Sequence, residues 1–197
     1  MSSTSDRPTG DRLTGRPRTI DPDAVSLVAL RLFDERGFDT VSMDDVAAAA
    51  GVSRRSLFRL FPNKAALVWG GLDDFAARFR AALHDSPADE ASSTALRAAY
   101  RIGATFPDDA VEVTRHRLRV IRANPSLEHV GAATVTSLTD EIVRFVAERD
   151  GATPDDLAVS VRAHALAAAA SAALTWWALH GDGRPEDVVE RALGLLG

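Results

Sequence analysis

Three arginines, Arg54, Arg55 and Arg59, stand close together beside two serines, Ser53 and Ser56. A guanidinium is the side chain best matched to the edge of a guanine in the major groove, and equally to phosphate oxygens, so the cluster suits nucleic acid. At about 100° per residue, Arg55 and Arg59 share one side of a helix while Leu57, Leu60 and Phe61 share the other, with Arg54 and Phe58 between them. A helical hairpin with a solvated charged face has the same spacing, and the arginines alone leave that alternative open. Catalytic chemistry has no comparable support. No HExxH, GxSxG, Walker or GxGxxG pattern occurs, and the five histidines are scattered. No enzyme, cofactor or metal site is expected.

The elements that must position these arginines are legible around them. Ser42 and Asp45 have the form of a capping box, and Met43, Val46, Ala47 and Ala50 follow at i, i+3, i+4 and i+7, which predicts a short amphipathic helix from Ser42. Gly51 can take the left-handed conformation that ends it. Ser53 is a second N-cap, so the arginine helix runs from Arg54 to about Phe61, where Pro62 stops it. Upstream, Asp21 caps a helix with Pro22 at its first position; Val25, Val28, Ala29, Leu32 and Phe33 form its buried stripe and Gly37 its end. Residues 1–19 are polar and aperiodic, predicting a disordered basic arm. Its Arg16 and Arg18 could reach a minor groove; a solubilising tail is the alternative.

The run from Thr40 through Gly51-Val52-Ser53, Leu57-Phe58, Phe61-Pro62 and Lys64 to Leu67 resembles the DNA-binding domain of the TetR family of transcriptional regulators. The glycine turn, serine cap, aromatic pair and following lysine all hold their relative places. The resemblance implies a three-helix helix-turn-helix domain over 20–64, with Ser42, Ser53, Arg54, Arg55, Ser56, Phe58, Arg59 and Lys64 at the DNA. Two positions depart from the family pattern: Phe58 stands for the usual tyrosine and Leu60 for the usual histidine. Each loses a polar phosphate contact, leaving more of the docking to Arg59 and the arm.

The remaining chain reads as helices, with no convincing strand. One long helix is expected from Lys64 to about His84, then Ala91–Thr105, Asp108–Ala123, Ser126–Arg149, Asp155–His180 and Pro185–Leu196, separated by proline and glycine breaks. The expected fold is therefore all-α, an N-terminal helix-turn-helix domain followed by a helical effector-binding and dimerisation domain over 65–197. With 46% apolar residues the chain can bury a genuine core. It lacks cysteine, and its first residues have no apolar signal-like region, so a reducing cytoplasmic setting without a membrane partner is expected. The net charge of −5 is unevenly placed: residues 1–64 carry ten basic against nine acidic side chains, the rest thirteen against nineteen. DNA binding would then depend on basic groups focused on one surface.

Arg115, Arg119 and Arg122 share a helix face at i, i+4 and i+7, and Glu112 is one turn from Arg115 and His116. A salt-bridged surface helix accounts for that pattern by itself. The stretch Arg115-His116-Arg117-Leu118-Arg119 through Arg122, Pro125, Leu127 and His129, with Leu67-Val68-Trp69-Gly70, is also similar to the actinobacterial TetR subgroup associated with mycofactocin gene clusters, which responds to acyl-coenzyme A thioesters. That resemblance implies a small-molecule effector whose apolar tail lies among Phe75, Phe79, Phe106 and Leu118 and whose anionic head meets Arg115, Arg119 or Arg122. The alanine stripe Ala165–Ala173, which contains Ala169, leads to Trp176 and Trp177; with Val189 and Leu193 of the last helix it is the expected homodimer interface. An intramolecular core is the competing reading. The function expected is a repressor released from a pseudo-palindromic operator in double-stranded DNA by its effector. The alternative is a helical ligand-binding or scaffold protein with a vestigial reader.

Overall fold

The computed structural model describes residues 20–181 and 183–196. Among them the chain is all-α, with no strand, in ten helices: α1 (Pro22–Arg36), α2 (Met43–Ala49), α3 (Arg54–Leu60), α4 (Lys64–Trp69), α5 (Leu72–His84), α6 (Ser92–Gly103), α7 (Asp108–Ala123), α8 (Pro125–Asp150), α9 (Leu157–His180) and α10 (Pro185–Gly194). Local chemistry explains most of the ends. Asp21 accepts from the Asp23 N–H at the start of α1, and Gly37, at φ 87°, closes it. Ser42 and Asp45 form the complete capping box at α2, and Asn63 Oδ1 caps α4 by accepting from the Ala66 N–H.

The helix expected over 64–84 is two helices. Gly70 ends α4 and Gly71, at φ 98°, starts α5, so the backbone turns at the glycine pair. Two successive residues without Cβ make that turn possible. Against this joint lies the guanidinium of Arg117: a Cβ on Gly71 would stand 2.6 Å from its Nη1.

Two apolar cores result. One joins Val25, Leu30 and Phe33 of α1 to Val46, Leu57 and Phe61, and continues through Leu67 and Val68 of α4 into Val113 and Val120 of α7 and Leu127 of α8. The other gathers Phe79, Leu96, Tyr100, Ile142, Leu166, Trp177 and Leu193 from α5, α6, α8, α9 and α10. Helix α7 serves both: it packs along α1 on one side and α9 on the other. Polar ties reinforce the first contact, where Arg31 pairs with Glu112 at 2.7 Å and Asp34 with His116. Glu112 thus bridges to α1 and to His116, not to Arg115. Burial of α7 against α1 mechanically links the arginine helix to the rest of the chain.

Candidate DNA-reading face and effector cavity

In α3 the apolar side seats Leu57, with Phe61 just beyond it, so the opposite side faces outward. Ser53 Oγ accepts from the Ser56 N–H at 3.1 Å and donates to Ser56 Oγ at 2.9 Å, which pins the first turn. Arg54 is held by Asp44 of α2 at 2.6 Å and lies 5.4 Å over the exposed Phe58 ring. Arg55 and Arg59 are exposed and hold no ion pair or hydrogen bond within the described residues. Two free guanidiniums one turn apart are thus displayed beside a third that is tethered. Ser42 is exposed but occupied by its box, its Oγ 2.6 Å from Asp45. The ligation holds the Asp45 carboxyl below the usual aspartate range, through the Ser42 side chain first and its backbone N–H second.

Lys64 departs from the expectation of a DNA contact. Its Nζ donates to the carbonyls of Phe38 at 2.6 Å and Val41 at 3.0 Å and sits 4.3 Å from the centre of the Phe38 ring. The ammonium therefore closes the loop between α1 and α2, using its donors on backbone oxygens that no helix satisfies. Arg16 and Arg18 lie outside the described residues.

A cavity of about 610 Å³ opens among α5 to α9. Its walls are Phe75, Tyr100, Phe106, Leu118, Leu138, Ile142 and Leu174, with Trp69 at the end of α4 and a minority of polar groups that includes Thr114, Arg117 and Arg122. A concave, chiefly apolar space with few polar groups is what a small-molecule site requires. Burial pushes the Tyr100 hydroxyl above its usual pKa, so that wall stays neutral. Phe79 is not a wall residue: fully buried, it stacks behind Phe75 at 6.1 Å and meets the Tyr100 ring at a tilt at 4.7 Å.

The arginines of α7 divide in a way their spacing does not reveal. Arg115 donates to the carbonyls of Trp177 and Gly181 at 3.2 and 2.7 Å and stacks 4.3 Å over Trp177; Arg119 donates to Ala178 at 2.8 Å. Both therefore cap the orphan carbonyls ending α9, where positive charge is also favoured, and neither lines the cavity. Only Arg122 of the expected three lies at the wall, and it is exposed. The residue sequence reasoning missed is Arg117, which is 8% exposed and lines the cavity from inside. Its Nε and Nη2 have no hydrogen-bond partner among the described residues. Burial lowers its pKa, opposed by Asp23 and Asp74. A signal existed: Val113, Arg117 and Val120 fall at i, i+4 and i+7, on the buried stripe.

Four of the expected interface residues are interior to one protomer. Trp177, Ala173, Val189 and Leu193 are buried in the core shared by α5, α6, α8, α9 and α10, and the Trp177 indole N–H donates to Gly183 at 3.1 Å. Burial already complete cannot anchor a second subunit. Trp176 is 48% exposed, and Ala169 is half-buried. With Trp176, the exposed Leu157, Val161, Ala165, Ala168, Ala172 and Leu179 continue one stripe along α9. By length and composition α9 could cross a membrane, but its other side, including Val159, Ala163, Leu166 and Ala170, packs into the protein core.

A helix-turn-helix with free guanidiniums, mechanically joined to a helical domain around an apolar cavity, defines a transcription regulator. Comparison with known proteins agrees. Residues 27–68 match the bacterial regulatory proteins of the tetR family, and residues 90–197 match the MftR C-terminal domain. A Mycobacterium tuberculosis protein described as a mycofactocin biosynthesis transcriptional regulator, MftR, is 34% identical over 150 residues, covering 76% of each chain. Among solved structures, the TetR family regulator PfmR of Thermus thermophilus superposes with a TM-score of 0.57 at 20% identity, covering 87% of this chain and 96% of that one. Thermus thermophilus FadR, a TetR family repressor solved with lauroyl-CoA, gives 0.53 at 23% identity, covering 89% and 93%; at such identities these two show the shared fold alone. The chain belongs to the TetR family of transcriptional regulators, with a C-terminal domain of the MftR type. The matched families are regulators and not enzymes.

Proposed function

We propose that this regulator is a cytoplasmic homodimer that represses from a pseudo-palindromic operator and is released by an amphipathic effector, a long-chain acyl-coenzyme A. The observation that carries the reading is the 610 Å³ cavity, whose apolar walls extend from the end of α4 to α8 and α9. That placement puts a ligand in contact with the helix leading out of the reader domain. An aliphatic chain suits Phe75, Phe106, Leu138 and Ile142, while a phosphate-bearing head suits the exposed Arg122. The lauroyl-CoA held by the fold relative FadR supports the same class. Arg55 and Arg59 supply base-edge and phosphate contacts.

Dimerisation is supported by the exposed apolar stripe of α9, which includes Leu157, Val161, Trp176 and Leu179. A second copy covering that stripe would remove a surface that a monomer rarely exposes. Two readers held about one helical turn of DNA apart then engage two half-sites. Release requires only that the effector prefer the conformation with displaced readers, since equal affinity for both states shifts nothing.

The test is a fluorescence-anisotropy titration on the intergenic DNA upstream of the protein's own gene. Palmitoyl-CoA is then added to the complex, with palmitate and coenzyme A as controls. Binding that is sequence-dependent and reversed by the thioester alone is the expected result. No release at saturating thioester would reject the effector class. No sequence-dependent binding at low salt would leave a helical ligand-binding protein with a vestigial reader.

A further inference from the structure

The cavity contains one group that an apolar chain does not account for. Arg117 is more than nine-tenths buried, and two of its three guanidinium nitrogens, Nε and Nη2, meet no acceptor among the described residues. A buried charge left unmatched is costly, and proteins keep such groups chiefly where function needs them. Arg117 lines the larger cavity, which is mostly apolar and whose other charged wall residues are Arg122 and Glu128. Its other side borders a second cavity of about 240 Å³, which Asp23 of α1 and Asp74 of α5 also line. The guanidinium therefore stands between the effector space, the first helix of the reader and the glycine joint at 70–71, where Nη2 would lie 3.6 Å from a Cβ on Gly70.

Building on the amphipathic-effector reading above, we propose that Arg117 receives an acyl oxygen of the effector, the carbonyl of a thioester or the carboxylate of a free acid, and that this contact loads the α4–α5 joint. The chemistry follows from the geometry. A guanidinium with unfilled N–H donors in an apolar wall gives a charge-assisted hydrogen bond to an oxygen that enters beside it. An alkyl chain lacking that oxygen fills the same volume and leaves the donors unmatched, so the site discriminates strongly between two ligands that differ by one atom. An acceptor on the cavity side also draws the guanidinium from Asp23 and Asp74 and off the glycine backbone, which is the point where α4 meets α5.

The experiment crosses the protein variant Arg117→Met with a pair of ligands, palmitoyl-CoA and its thioether analogue S-hexadecyl-coenzyme A, which lacks the carbonyl oxygen. Calorimetric titration of the full-length parent should show a preference for the thioester of at least about tenfold, the size of a charge-assisted hydrogen bond. In Arg117→Met that preference should fall to roughly nothing. The ligand-free variant should melt at or above the parent temperature, because methionine removes a guanidinium whose burial outweighs its attraction to Asp23 and Asp74 while keeping an apolar stem. A ligand-free variant melting well below the parent would make Arg117 a structural group and overturn the proposal, as would an undiminished preference in the variant or none in the parent. If the parent binds neither coenzyme A compound, the thioester reading fails, and palmitate against 1-hexadecanol decides the role of Arg117: a preference for palmitate lost in the variant retains it, and equal binding in the parent overturns it. A parent that binds none of the four overturns both.

Discussion

Gly131 offers a direct test of how the cavity wall grips the helix leaving the reader. It is buried in α8 with the benzo edge of Trp69 lying where a side chain would begin: a Cβ would stand 2.5 Å from Cζ2 and 2.6 Å from Cζ3. Carbon atoms rest at about 3.5–4.0 Å, so Gly131→Ala forces the ring outward by about 1 Å. Two effects oppose. Alanine in a helix interior gains about 0.8–1.0 kcal/mol over glycine, while overpacking costs about 1–3 kcal/mol. The ring cannot swing freely, since its Nε1 donates to Leu127 at 3.0 Å, and losing that bond adds about 0.5–1.5 kcal/mol. Overpacking wins, with a net loss of about 0.5–3.7 kcal/mol; at about 2–4 °C per kcal/mol for a chain of this size, melting should fall by about 1–15 °C. Adding Trp69→Phe, which lacks the benzo edge, should recover part of the loss, a non-additivity readable in a double-mutant cycle. Thermal melts followed by circular dichroism provide the assay. A rise of about 2–4 °C in Gly131→Ala, the propensity gain alone, would refute this packing of Trp69 on α8.

Arg55→Ala should lower operator affinity and flatten discrimination between operator and mismatched DNA by about 1–3 kcal/mol per base contact, measured by competition binding. Lys64→Ala should lower the melting temperature, losing charge-assisted bonds of about 1.5–3 kcal/mol, and leave the salt slope of DNA binding as in the parent; a flattened slope with an unchanged melt would restore Lys64 to the DNA. The tryptophan pair should separate cleanly: Trp177→Ala destabilises the protomer by about 3–5 kcal/mol, whereas Trp176→Asp yields folded monomers in sedimentation. For Asp45 the folded pKa is depressed, so its stabilisation is complete above the ordinary aspartate range and is lost as the pH falls through the folded value. Asp45→Asn should therefore flatten the acid limb of the stability–pH profile.

What could be read from the chain alone was whatever rests on neighbours in sequence. The Ser42–Asp45 box, the Ser53 cap and the outward side of Arg55 and Arg59 depend on residues three or four positions apart. The glycine joint was also locally signalled, since Gly70 and Gly71 adjoin, yet the apolar periodicity of Val68, Leu72 and Phe75 ran straight through it. Partners between helices were not legible. Arg115, Arg117 and Arg119 alternate within five residues, and only the arrival of the end of α9 and of the cavity separates caps from a ligand group. Trp176 and Trp177 were indistinguishable because α9 is apolar around most of its circumference, so no polar face marks its outside. The partners of Lys64 are hidden for a similar reason: the loop carbonyls it meets come from residues more than twenty positions earlier.

On the function proposed above, effector and operator select different conformations of one protein. The measurement that tests this is the affinity of palmitoyl-CoA for the protein, determined by calorimetry with and without saturating operator DNA, beside the affinity of the operator with and without palmitoyl-CoA. Linkage requires both ratios to be equal; for a working switch, both should show weakening of at least about fivefold, the lower end of typical coupling. A thioester that binds the free and DNA-bound protein with the same affinity would select neither conformation and would refute release by the effector.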